Sequence, residues 1–281
     1  MRIPYLHDNT DATGKRVLVT GASGTFGRAI AADFTARGAT VVGLDLKPSA
    51  TDEIPVIACD ITDDQSVIDG VAQALELLGG LDILVNNAGT GGPAPAEFMP
   101  DAELYRQLEI NLIGAWRVTS QCVDALVESK GRVVMVASRM AVMQLPLAAA
   151  YGVSKRAMVA YADALRLELA GHVGVTTVYP SAVRSPIHDS TKDAGLSLEG
   201  MSTYEPLEGV VDAIVNAGLS RQIRRDVPTS PKGQLEFFLA RHLPVVVDRI
   251  VTKTLLERAT SGAFDAATLA RGVVARAKSA A

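Results

Sequence analysis

Cysteine is scarce in this chain: two occur in 281 residues, Cys59 and Cys122. Neither has metal-ligand spacing, which excludes a disulfide framework and a cysteine metal site, and no metal is expected. The sequence predicts a reduced, cytoplasmic protein with buried thiols. Charge of one sign is also missing as a run. Net charge is −4 and there is no basic tract, which argues against nucleic acid as a partner. No apolar run reaches the ~18 residues that span a bilayer, and the start M-R-I-P-Y-L-H-D-N-T-D lacks the apolar centre of a signal peptide. Repeats and low-complexity linkers are absent too. What is plentiful is apolar residues, 48% of the chain, enough for a large core in one extended α/β domain.

The stretch K-R-V-L-V-T-G-A-S-G-T-F-G at 15–27 carries an apolar strand into a glycine turn, and the turn opens an amphipathic helix closed by Gly38. T-V-V-G-L-D follows as a second buried strand ending on Asp45. Strand, turn, helix, strand and terminal acid make a unit of the size used for dinucleotide binding. Gly21 permits the sharp turn, Gly24 lets backbone approach phosphate, and Gly27 lets the helix close on the strand. The helix start, with Ser23, Thr25 and Phe26, offers N–H groups to a pyrophosphate. Asp45 follows Gly21 by 24 residues, where an acid accepts bonds from both ribose hydroxyls and repels a 2′-phosphate. NAD is therefore the expected cofactor. NADP is not excluded, because Lys47 two residues on can offset part of that repulsion.

Further along lies a proton-transfer pattern. Tyr151 and Lys155 are four apart in an apolar-periodic helix, so phenol and ammonium share one face. A free tyrosine titrates near ~10, too high for a base at neutral pH. A neighbouring ammonium favours the phenolate, and the spacing predicts a lowered value for Tyr151. Ser138, ending the run R-V-V-M-V-A-S, can present its hydroxyl to the same reacting oxygen. By itself Y-x-x-x-K also fits a pair on a helix surface; the dinucleotide unit upstream favours the chemical reading.

Three other stretches complete the pattern: C-D-I-T at 59–62, L-D-I-L-V-N-N-A-G at 81–89 and I-N-L-I-G at 110–114. With these, residues 14–218 or so resemble the short-chain dehydrogenase/reductase family in its compact single-domain branch. The resemblance implies a Rossmann-type doubly wound parallel sheet in three α/β/α layers, and hydride transfer between a nicotinamide and an alcohol or ketone. It implies Tyr151 as acid/base, with Lys155 lowering its pKa and binding the nicotinamide ribose. Ser138 would hold the substrate oxygen. Asn111 would break its helix and position a water linking Lys155 to solvent. Asp60 and Ile61 would meet adenine, and Asn87, Ala88 and Gly89 would line the cofactor. The segment Y-P-S-A-V-R-S-P, with Pro180, Ser181, Val183 and Ser185, would cover the nicotinamide. A homodimer or homotetramer is implied as well.

Two positions depart from the family pattern. The glycines run G-x-x-G-x-x-G, with Thr25 where glycine is usual, a spacing shared with the nucleotide-sugar branch; Ser181 also replaces a usual glycine. The expected substrate is a small molecule. Met140, Met143, Leu145 and Leu147 suit an apolar pocket. Arg139 would pair a substrate carboxylate or form a surface ion pair, and His188 lies in a loop over 185–206 long enough for a lid. Residues 1–232 are assigned to the catalytic domain and 233–281 to a helical extension. In that extension Leu235, Phe238, Leu239, Leu243, Val246, Val247, Ile250 and Val251 keep helical spacing around Pro244, beside Arg241, Arg249 and Lys253. Such a helix packs on its own domain or on a second subunit, or lies on a membrane surface as a peripheral contact. The function expected is an oxidation or reduction of an apolar secondary alcohol or ketone of lipid, steroid or terpenoid type. The alternatives are a dinucleotide-binding redox sensor, or a nucleotide-sugar epimerase or dehydratase.

Overall fold

The apolar run Val17–Val19 lies without solvent exposure on an interior strand of a seven-stranded sheet. These relations come from a computed structural model that describes residues 11–184, 191, 193–196 and 204–279. The strands are β1 (Arg16–Thr20), β2 (Thr40–Asp45), β3 (Val56–Ala58), β4 (Ile83–Asn86), β5 (Arg132–Val136), β6 (Gly174–Tyr179) and β7 (Asp226–Pro228). They run parallel in the order β3-β2-β1-β4-β5-β6-β7. Leu18 stands opposite Val42 on one side and Leu84 on the other. Strands covered on both faces need unbroken Val, Ile and Leu, which is why these segments read as continuous apolar runs.

The helices α1 (Thr25–Ala36), α2 (Asp64–Leu78), α3 (Ala102–Leu108), α4 (Ala115–Ser129), α5 (Ala149–Glu168) and α6 (Leu207–Leu219) divide between the faces. One face packs Ile30 and Phe34 of α1 with Val211 and Ile214 of α6. The other packs Val67 and Val71 of α2, Val118 and Leu126 of α4, and Met158 and Leu165 of α5. Arg37 locks the first pair, bonding Asp33, Asp212 and Asn216. Asp63 caps α2 by accepting from Ser66 N–H, a contact worth about 1 kcal/mol. The sheet order reverses between β1 and β4, and the crevice at the carboxyl ends of those strands is where such folds bind ligands.

Beyond β7 the chain is helical, with α7 (Pro231–His242), α8 (Pro244–Thr260) and α9 (Arg271–Ser279). Pro244 sits in the first turn of α8, where its missing N–H breaks no helical bond. α7 docks through Phe237, edge-on to Tyr179 at 4.8 Å. Arg241 reaches Asp226 at 3.1 Å. The tail also makes a third apolar cluster, in which Phe264, Ala259, Ala270 and Ala277 enclose Leu147 and Leu196. The predicted stripe around Pro244 does not face inward: Leu235, Phe238, Leu243, Val246 and Ile250 are exposed, and Val247 is buried. Periodicity located the helices but not the face they bury. Among the described residues no helix is long and apolar enough to cross a membrane.

Candidate active site

The glycine turn is built on contacts that exclude side chains. Gly21 has φ +65°, and a Cβ there would lie 2.9 Å from Ala88 Cα. A Cβ on Gly27 would fall 2.0 Å from the Gly21 carbonyl oxygen, so α1 can begin against the turn only with glycine at that position. No side chain caps the N-terminus of α1, and Gly24, Thr25, Phe26 and Gly27 line a cleft of about 710 Å³. Helix-start N–H groups beside glycine backbone form a ready anion cradle. Size and lining therefore fit an extended dinucleotide.

Most predicted cofactor residues border this cleft: Gly21, Asp45, Asp60, Ile61, Asn87, Ala88, Gly89, Pro180, Ser181 and Val183 all lie on its wall. Ser23 does not. Its N–H donates to Asp45 Oδ2 at 3.0 Å and its hydroxyl to Asp52 at 2.6 Å. Asp60 accepts from the Thr62 N–H at 2.9 Å and hydroxyl at 2.7 Å, which fixes the turn beside Ile61. The Asn87–Gly89 turn hangs from Thr20, whose Oγ1 accepts the N–H groups of Asn87 and Ala88, both at 3.0 Å. Thr20 was not singled out in the sequence; a hydroxyl ending the buried run V-L-V was the available signal.

The reacting end gathers Ser138, Tyr151 and Lys155 on the same cleft. Ser138 precedes a 3₁₀ turn, Arg139–Ala141, and accepts from Met140 N–H at 3.1 Å. Its hydroxyl acts on the Tyr151 phenol in the direction that favours the ionised form. Lys155 Nζ donates to the Val136 carbonyl at 3.0 Å and lies 5.9 Å from the Tyr151 ring centre. Burial pushes its ammonium down from 10.5 to about 8. Tyr151 moves the opposite way from expectation: burial raises its pKa, and the Ser138 hydroxyl offsets part of the rise. Tyr151 as a whole is half-buried on the cleft wall. Spacing showed that an ammonium would be near but not that the hydroxyl would lose water, and desolvation wins.

Asn111 lies behind the wall in a π-helical turn, Glu109–Gly114, that joins α3 to α4. Its amide donates to Thr90 O and Ser154 Oγ, both at 2.9 Å, and its carbonyl accepts from Thr90 N–H at 2.8 Å. The point where a Gly89 Cβ would stand is 3.2 Å from both Asn111 Oδ1 and Lys155 Nζ. No local pattern in the sequence marks Thr90 or Ser154.

On the substrate side Arg139, Met140 and Leu145 line the cleft. Arg139 forms an ion pair, as one expectation had it, but a buried one, with Glu236 of α7. Leu147 turns away at φ +65° and joins the tail cluster instead of the pocket. Glu205, also unforeseen, accepts from the Ser181 N–H at 3.3 Å and from the hydroxyls of Thr229 and Ser230, tying the strand ends together. Ser185, His188 and most of the expected lid lie outside the described residues. Both cysteines are buried, and burial lifts the Cys122 thiol to about 12.

Sheet order, glycine turn and cleft together define a Rossmann-type nucleotide-binding α/β protein. Residues 15–195 match the short chain dehydrogenase family. The chain belongs to the short-chain dehydrogenase/reductase family of oxidoreductases. It is 31% identical over 241 residues to oxidoreductase UcpA of Escherichia coli O157:H7, covering 81% of this chain and 88% of that one. It is also 31% identical to an NADPH-dependent 3-dehydrocapnine reductase of Ornithobacterium rhinotracheale, over 72% of this chain and 78% of that one. Among solved structures, a 3-ketoacyl-(acyl-carrier-protein) reductase of Brucella melitensis complexed with NADH superposes with TM-score 0.69 at 27% identity. That match covers 78% of this chain and 99% of the other.

Proposed function

We propose that the protein is an NAD-dependent alcohol dehydrogenase or ketoreductase acting on a neutral, largely apolar secondary alcohol or ketone. The observation that carries this reading is the meeting of Ser138, Tyr151 and Lys155 at one end of a cleft whose other end is the glycine turn. Gly21 to Gly27, Asp45 and Asp60 would hold the adenosine and pyrophosphate, and Asn87 to Gly89 with Pro180 to Val183 the remainder. When bound, the nicotinamide supplies or accepts hydride. Tyr151, whose raised pKa keeps its phenol protonated, gives a proton to the oxygen of a ketone. The reverse step, taking the hydroxyl proton of an alcohol, uses the phenolate and is favoured as pH rises. The Ser138 hydroxyl and the Lys155 ammonium stabilise charge on that oxygen, and fixed donors of this kind are often the largest catalytic effect. Asn111 holds the π-helical turn against Thr90 and Ser154 and so keeps Lys155 in place.

Relatives at similar distance carry both NADH and NADPH in their descriptions, so membership of the family leaves the cofactor open. Asp45 supports NAD, because its carboxylate stands at the end of β2 on the cleft wall. Met140 and Leu145 on that wall, and the Arg139 charge matched by Glu236, support a neutral substrate. The test is NADH formation from NAD across secondary alcohols from small and polar to steroid-sized, for the wild type and Tyr151→Phe. Turnover confined to bulky apolar alcohols, lowered about 10²–10⁴-fold in the variant, is expected. Tight NADH binding without any turnover would favour a sensor instead.

A further inference from the structure

The loop after β2 returns to the glycine turn and leaves a second carboxylate there. The Asp52 side chain is 5% exposed. Its Oδ2 accepts from the Ser23 hydroxyl at 2.6 Å and the Ser49 N–H at 2.7 Å. Its Oδ1 lies 3.3 Å from Arg28 Nη2, close enough for an ion pair but without hydrogen-bond geometry. Arg28 is held from two more sides, donating to the Ser23 carbonyl and to Thr51 Oγ1, each at 2.8 Å. Asp45 meanwhile accepts the N–H groups of Ser23 and Lys47, at 3.0 and 2.9 Å. Ser23 is thus clamped between two acids, its N–H on Asp45 and its O–H on Asp52.

This clamp bears on which dinucleotide enters. A 2′-phosphate on the adenosine ribose would arrive beside Asp45 with a charge near −2, and it needs donors to replace its water. The donors in this corner include the Ser23 hydroxyl and N–H, the Lys47 N–H and ammonium, and the Arg28 guanidinium. Asp45 occupies two of them. Asp52 occupies the hydroxyl and pairs with Arg28, which leaves the Lys47 ammonium as the other positive charge near Asp45. We propose that Asp52 is a second determinant of the preference for NAD, acting by withdrawing Ser23 and Arg28 from a 2′-phosphate and adding a negative charge behind Asp45. The proposal rests on the dinucleotide reading above. Asp52 and Ser23 do not line the cleft, so Asp52 is a positioning residue that works through its neighbours. Burial opposes its charge, yet the bonds from Ser23 and Ser49 and the nearby Arg28 outweigh burial and hold its carboxyl below the usual range.

The experiment titrates the full chain with NADH and NADPH, following fluorescence of the reduced nicotinamide, and needs no substrate. In Asp52→Ala, NADPH affinity should rise about tenfold relative to NADH, since one nearby charge is removed and Arg28 is released. Charge is the cause, so the gain should shrink toward about 0.5 M salt. Most of it should vanish in Asp52→Ala/Arg28→Met, which a general effect on folding would not reproduce. Asp52→Asn keeps the volume and an acceptor for Ser23, and should give a smaller gain in the same direction if the alanine variant melts early. An unchanged NADPH:NADH ratio in the folded variants overturns the proposal, as does equal strengthening of both dinucleotides. Wild type that binds neither dinucleotide is a separate failure, one that sinks the dinucleotide reading itself.

Discussion

Arg139, the residue after Ser138, is buried against Glu236, 97 positions further along the chain. The pair fastens α7 to the turn that carries Ser138, so the tail is part of the cleft wall's support. Two charges taken from water in this way add little net stability, but removing one of them is costly. Glu236→Ala leaves a guanidinium that is 5% exposed without its carboxylate, and about 3 kcal/mol of stability should be lost. For a chain of this size that is a fall of roughly 6–12 °C in Tm. Arg139→Met/Glu236→Leu should recover most of the loss, because apolar replacement of both partners removes the buried charges. Thermal and urea denaturation of the three proteins checks this; a single variant as stable as wild type would show that the pair is not structurally important.

The contrast between Tyr151–Lys155 and Arg139–Glu236 explains what a reader of the sequence can and cannot see. Residues four apart on a helix share a face whatever surrounds them, so Tyr151 and Lys155 could be paired from spacing. The strands could be read for the same reason, because Val17–Val19 and Val133–Val136 show burial on both faces in their composition. Arg139 and Glu236 meet through the docking of α7, and no local period encodes that. Ser23 and Asp52 meet through a loop whose path only the tertiary structure sets. The phenol of Tyr151 shows a third limit. Its neighbour was legible, but its burial depended on the assembled cleft, and burial decided the direction of its pKa. In the tail, the stripe around Pro244 had the right period, yet of its members Val247 is buried while Leu235 and Phe238 are exposed, and Phe237, outside the stripe, docks on Tyr179.

Asn111 is the polar residue on which the π-helical turn depends. Fully buried, it satisfies both backbone groups of Thr90 and the hydroxyl of Ser154. Asn111→Leu keeps the volume but strands those groups, each at a cost of about 1–3 kcal/mol. A loss of roughly 3 kcal/mol in unfolding free energy is expected, together with lower kcat/KM on whichever alcohol the wild type oxidises. Ser154→Ala removes two bonds, the one from Asn111 and the one its hydroxyl donates to the Tyr151 carbonyl at 2.9 Å, and should cost about 1–2 kcal/mol. The two changes should not add, because residues sharing a hydrogen bond couple. A double-mutant cycle in urea measures that coupling, and additive losses would mean that Ser154 does not depend on Asn111.

Lys155 makes stability depend on pH with a sign that follows from its burial. The ammonium titrates near 8 in the folded protein against 10.5 when free. Below pH 8 both states hold the proton, and the folded state carries the full cost of burying the charge. Between pH 8 and 10.5 the folded protein has released a proton that the unfolded chain still binds. The unfolded state then holds more protons, so unfolding free energy rises with pH across that window. Lys155→Met has no such group, and the difference between wild type and variant should grow in favour of wild type by roughly 1–3 kcal/mol from pH 8 to 10. Tyr151 acts in the opposite sense above pH 10, where a free phenol ionises and the buried one resists, so the comparison ends there. Urea unfolding at pH 7, 8, 9 and 10 reads the trend directly. A flat difference would mean that Lys155 keeps an ordinary pKa, its charge stabilised in the cleft by more than the Val136 carbonyl.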